Sequence, residues 1–160
     1  MEFLAGLHPK FVHFPIALFL AYTLFEIAGL VIKKDFLSKA AYILLLLSIL
    51  GAVAAVLTGN QAGSIAEKLA DQDVSIPLGA LSKHEDYANY ALWYMFILAA
   101  LRTYLIVKKR FTGWLGNSFI ILSLLGSLLI YQAALLGGKL VYRYGVGTEV
   151  IKPDDNSNKK

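Results

Sequence analysis

The sequence predicts an all-α fold: a four-helix transmembrane bundle built from two up-down hairpins. Three observations predict it. The first is composition. Hydrophobic residues make up 58% of the chain and charged residues 16%, with a mean hydropathy of +0.61. A soluble domain is about 45–50% apolar and about 25% charged. A chain of 160 residues has too much surface to hide that excess in a small core, so the bilayer is its natural solvent. The second is spacing. Four apolar runs, roughly 11–32, 40–58, 88–107 and 117–137, each approach the about 20 residues a helix needs to cross hydrocarbon. The third is charge placement. The net charge is +4, but Lys33, Lys34 and Lys39 gather between the first two runs, and Lys108, Lys109 and Arg110 between the last two. That is the positive-inside pattern. It is not a stripe for nucleic-acid phosphates, so nucleic acid is not an expected partner.

The first run has no basic segment before it and no small-residue cleavage site after it, so it reads as a retained helix and not a signal peptide. Pro9 and Pro15 flank its start. Proline offers no backbone donor, so Pro15 leaves the Phe11 carbonyl free, and the helix there is either just starting or bent. The 59–87 loop is not structureless: Ile65, Ala66 and Leu69 fall at helical spacing among Glu67, Lys68 and Asp71, which suggests a short amphipathic helix on the interface. Pro77 and Gly79 then break the chain. Ser82-Lys83-His84-Glu85 has the form of a capping box and predicts the start of the third span. Residues 1–147 read as one membrane domain. The polar stretch 148–160 has the composition of a disordered tail.

The two halves resemble each other. Each is a hairpin around a basic turn, with His8 and Glu26 ahead of Lys33 in one, and His84 and Arg102 ahead of Lys108 in the other. Equal orientation of the halves implies an axis along the membrane normal. Membrane grammar alone also produces such likeness.

With both basic turns cytoplasmic, the N-terminus, the long loop and the C-terminus lie outside, and so do His8, His13 and His84. An imidazole is costly against hydrocarbon unless something binds it. The expected site is therefore bis-His haem b near the outer face, since facing helices of a four-helix bundle supply imidazoles to both sides of an iron. The preferred axial pair is His13 with His84; the competing pair is His8 with His84. If His8 and His13 both bind iron, a partner chain must supply a further ligand, as in a homodimer. Ala88, Ala91 and Met95 continue the His84 face, a shallow groove for a flat macrocycle. Small-residue stripes at Gly51, Ala55, Gly59 and Gly63, and at Gly126, Ala133, Gly137 and Gly138, fit either such a groove or close helix packing. Lys139, Tyr142, Arg143 and Tyr144 are candidate partners for haem propionates, or an interfacial belt. Glu26 and Arg102 lie at matching depth inside the membrane, so an ion pair between the first and third spans is the simplest account and a proton relay the functional alternative.

Leu7-His8-Pro9, Val12-His13-Phe14-Pro15-Ile16-Ala17-Leu18 and the later Gly137-Gly138-Lys139-Leu140-Val141-Tyr142 with Gly145-Val146-Gly147 resemble domain-of-unknown-function family 2231, small bacterial membrane proteins. The resemblance covers about 7–147. It implies four membrane helices and a bacterial plasma membrane location, and brings no activity with it.

The leading expectation is thus a membrane b-type cytochrome-like electron carrier. Its partners would be membrane lipid, a quinol or membrane redox enzyme, and an outer-side acceptor. The alternatives are a divalent Zn or Cu site on His8, His13 and His84 with Glu85 or Asp86, and a cofactor-free structural subunit. The chain has no cysteine, which excludes thiolate sites and covalent c-type haem. No G-x-S-x-G, P-loop or Ser-His-Asp grouping marks a bond-breaking enzyme.

Overall fold

The computed structural model describes residues 2–72 and 75–148. They form helices α1 (Glu2–Phe11), α2 (His13–Ile32), α3 (Asp35–Ala70), α4 (Leu78–Val107) and α5 (Gly113–Tyr142). Helices α1 and α2 make one span, Phe3–Ile32, so the candidate membrane spans number four among the described residues. The tail from 149 onward lies outside the described residues.

Each span packs on two others. Helix α2 lies against α3 and α5, and α4 lies against the same two, which leaves α2 and α4 on the diagonal; α1 lies along α3. Both basic turns, after Ile32 and after Val107, sit at one end. At 1.5 Å per residue, the 36 residues of α3 run about 54 Å and the 30 of α4 and α5 about 45 Å. Hydrocarbon is about 30 Å thick. The bundle therefore projects well beyond it.

The expected separate amphipathic helix is instead the C-terminal end of α3, unbroken through Gly59 and Gly63. Packing is the reason. Ala66 is buried with Leu81 and Leu140 in a second core cluster at that end, so the apolar side of this stretch faces its neighbours and not the interface. That burial outweighs the roughly 1 kcal/mol cost of a helical glycine. The capping box also fails to form. Helix α4 begins four residues earlier, at Leu78, with Pro77 in the cap position and no side-chain cap. The Pro77 carbonyl accepts from the Ala80 and Leu81 amides at 2.8 and 3.1 Å, and buried Leu81 anchors this extra turn.

The phrase around the prolines is helical except for a turn at Val12, which keeps helical backbone angles, φ −61° and ψ −27°. Pro15 presses on Gly51, where a Cβ would stand 3.1 Å from its ring. The main core joins Phe19 and Tyr22 of α2, Leu45 and Ile49 of α3, Met95 and Leu98 of α4, and Phe119 and Ile130 of α5.

Glu26 and Arg102 form an ion pair across the α2–α4 diagonal. Arg102 is fully buried and also donates to the Ser38 carbonyl at 2.8 Å and its hydroxyl at 3.1 Å. The Phe111 ring lies 4.5 Å from its guanidinium carbon and the Tyr42 ring 5.6 Å. A charge this deep is tolerable only with such partners.

Three positions of the two halves correspond at a single register. His8 answers to His84, Glu26 to Arg102 and Lys33 to Lys109, all at one offset (8 to 84, 26 to 102, 33 to 109). Lys33 and Lys109 end their helices in the same left-handed conformation, each with φ of 55°. Glu and Arg at corresponding places give the two halves opposite charges that pair across the bundle.

Candidate imidazole site

At the end away from the basic turns, His8 of α1 reaches α3. A carbonyl oxygen only accepts, so a bond between it and an imidazole nitrogen fixes the proton on that nitrogen. His8 Nδ1–H donates to the Ala55 carbonyl at 3.0 Å, shared with the Thr58 hydroxyl oxygen at 3.2 Å. Thr58 spends its own proton on the Ala54 and Ala55 carbonyls, at 2.8 and 3.0 Å. His84 of α4 reaches α5 in the same way: its Nδ1–H donates to the Ala133 carbonyl at 3.0 Å.

Glycine makes each seat possible. A Cβ at Gly59 would stand 2.9 Å from His8 Cε1, and a Cβ at Gly137 would stand 2.9 Å from His84 Cε1. Real Cβ atoms do not approach that closely. An alanine followed by glycine one turn later thus receives an imidazole, once in each half of the molecule. Gly51, Gly63 and Gly126 also receive side chains, whereas Gly138 does not. Gly63 faces the Glu85 carboxylate, and Gly126 faces the rings of Phe19 and Tyr94. Gly59, Gly126 and Gly137 thus lie against aromatic or imidazole rings of neighbouring helices.

With Nδ1 protonated, each ring keeps its lone pair on Nε2. Neither Nε2 makes a hydrogen bond among the described residues. The two half-buried rings adjoin, with centroids 6.5 Å apart and planes at 73°.

His13 does not join them. It is exposed, and its Nδ1 bonds the Pro9 carbonyl at 2.7 Å. The structure therefore brings His8, the competing sequence candidate, and not His13 beside His84. The helix runs on through the phrase with only a turn at Val12, so five residues of helical rotation, about 140°, carry His13 to the outer side when His8 faces α3. The Ala88–Ala91–Met95 groove is filled, since Ala91 and Met95 belong to the packed core. Among the described residues no three His, Asp or Glu side chains gather as a metal-binding group; Asp86 is exposed, and Glu85 lies against Gly63. Lys139, Tyr142, Arg143 and Tyr144 are exposed. Tyr142 stands on the side of α5 away from Gly137, so these four do not surround the imidazole pair. The Glu26–Arg102 pair is remote too: Arg102 lies five turns from His84, about 27 Å at 1.5 Å per residue.

The sequence reading did not assign Ala55, Thr58, Gly59, Ala133 and Gly137 their roles as seats. The signal for them was present: the Ala-x-x-x-Gly spacing occurs in both halves, 55 to 133 and 59 to 137, though two residues out of register with the His8–His84 offset.

A family model described as "Predicted membrane protein (DUF2231)" matches residues 5–150. No curated protein and no solved structure matches the chain.

Proposed function

Starting from the chain's membership of the DUF2231 family of membrane proteins, we propose that it binds haem b between His8 and His84 and carries electrons. The observation that carries this reading is the pair of imidazoles, tethered at Nδ1, free at Nε2 and 6.5 Å apart. Imidazole–metal bonds are about 2.0–2.1 Å, so two rings on opposite sides of one ion would have centroids about 6.4 Å apart. Ligand number favours haem over a bare ion. A porphyrin brings four equatorial nitrogens and needs two axial ones, whereas structural zinc takes four protein ligands. When bound, haem supplies one-electron chemistry at its iron.

The chain's own residues would set the terms of that chemistry. The Ala55 and Ala133 carbonyls hold each ring's tautomer and orientation, as outer-shell acceptors do for ligating histidines. Gly59 and Gly137 let the rings lie close to α3 and α5. The basic turns favour a cytoplasmic placement for that end, which puts the imidazole pair on the outer side of a bacterial plasma membrane, both termini outside. Electrons would then pass from a quinol or membrane redox enzyme to an outer-side acceptor.

The test is an optical spectrum of protein expressed with ample haem. Wild type should show Soret and α bands on reduction. His8→Ala and His84→Ala should each abolish the low-spin spectrum, and His13→Ala should preserve it. A colourless wild type, or bands that survive both single variants, would overturn the reading. A colourless protein with stoichiometric zinc or copper would favour the bare-ion alternative. A His8→Ala/His84→Ala variant that assembles normally, from a wild type carrying nothing, would favour a structural subunit.

A further inference from the structure

The basic and aromatic end of α5, left aside by the imidazole site, has a geometry of its own. The inward side of α5 at this level is Ala133 and Gly137 beneath His84, with Leu140 buried. The opposite side carries a shallow concavity lined by Tyr131, Leu135, Gly138, Lys139, Tyr142 and Arg143. Gly138 forms its floor: a Cβ there would meet nothing nearer than the Tyr142 ring, at 4.0 Å. Lys139 and Arg143 are one turn apart, on the same side of the helix. Neither meets a carboxylate among the described residues, whose only ion pair is Glu26–Arg102.

The other ring seat, on α3, supplies a comparison. The offset that relates the two ring seats places Lys139 opposite Gln61, Arg143 opposite Ile65, Tyr142 opposite Ser64 and Gly138 opposite Asn60. Helix α3 forms and packs without these cations or this notch. The fold therefore does not require them on α5.

We infer that this notch holds an anionic phospholipid, its phosphate on Lys139 and Arg143 and an acyl chain along Leu135 and Gly138. Charge complementarity selects the headgroup. The carbon-lined floor selects an amphiphile over a free anion. Tyr142 lies one residue from Arg143, where aromatic residues meet headgroups, and Tyr131, eleven residues earlier on α5, lies about 16 Å further along the acyl path. The inference stands whether or not haem binds.

Native mass spectrometry of the full chain, incubated with equal phosphatidylglycerol and phosphatidylcholine, tests it. Wild type should retain phosphatidylglycerol preferentially, and millimolar inorganic phosphate should not displace it. Lys139→Gln/Arg143→Gln should cut that retention about 30-fold, and either single change about fivefold. Lys83→Gln, an exposed cation elsewhere on the outer end, should leave it unchanged. Gly138→Leu fills the notch without altering charge and should lower retention while keeping the helix; it decides the matter if the double variant does not fold. Equal retention of both lipids by wild type, loss equal in Lys83→Gln, or full retention in Gly138→Leu and the charge variants would overturn the inference.

Discussion

Replacing Gly137 with alanine separates two effects that normally travel together. The added Cβ would stand 2.9 Å from His84 Cε1, so the ring must retreat by several tenths of an ångström. Its Nδ1–H bond to Ala133 starts at 3.0 Å and would lengthen toward the limit of a useful hydrogen bond. Losing it costs about 0.5–1.5 kcal/mol. Against this, alanine is about 1 kcal/mol better than glycine inside a helix. The net change in stability should be within about 1 kcal/mol of zero. The imidazole, however, moves off its seat. Gly138→Ala is the matched control, because its Cβ meets nothing nearer than 4.0 Å; it should gain about 1 kcal/mol and leave the ring in place. Thermal unfolding reads the stability. Nitrogen NMR of labelled histidine reads the Nδ1–H bond and the tautomer. If Gly137→Ala leaves the His84 nitrogen shifts as in wild type, or if both variants disturb them equally, the seat argument is wrong. Gly59→Ala should do to His8 what Gly137→Ala does to His84.

Other outcomes follow from the same geometry. Arg102→Met leaves Glu26 buried without its partner and should destabilise the protein by about 3–5 kcal/mol, whereas Glu26→Leu/Arg102→Met should recover most of the loss; steric-trap or thermal unfolding distinguishes the two. Lys109 has φ of 55°, a conformation that costs an L-residue about 1–2 kcal/mol. Lys109→Gly trades that for a backbone entropy cost of about 0.5–1 kcal/mol, so unfolding should shift modestly upward and never downward. Leu81→Ala empties the outer core cluster with Ala66 and Leu140. It should cost about 2–5 kcal/mol, and hydrogen exchange should rise at the start of α4 before it rises in the main core.

The spans were legible because their signals are long and redundant: each apolar run is far longer than any buried strand or core segment. Their ends were not. Helix α3 runs on past Gly59 because Ala66 finds Leu81 and Leu140 across the bundle, a contact no local pattern announces. The Ser82 capping box was overridden by the same contact, which holds a turn that starts at Leu78. The site was half legible. His8 and His84 stood at matching places in two hairpins, but whether helix continues through Val12 decides which of His8 and His13 faces inward, and five residues of helical rotation reverse the answer. The small-residue stripes were visible, yet their purpose depended on which side chains land on them. Glu26 and Arg102 were paired correctly because equal depth in hydrocarbon leaves two opposite charges few other partners.

The claim that His8 and His84 grip one iron is tested most directly by electron paramagnetic resonance of the ferric, haem-loaded protein. With ring planes 73° apart, two crossed imidazoles should give a strongly anisotropic low-spin signal. His8→Ala and His84→Ala should each convert it to high spin, and His13→Ala should leave it intact. A wild-type spectrum that is high spin throughout, or a low-spin signal unchanged in His8→Ala, would contradict the account.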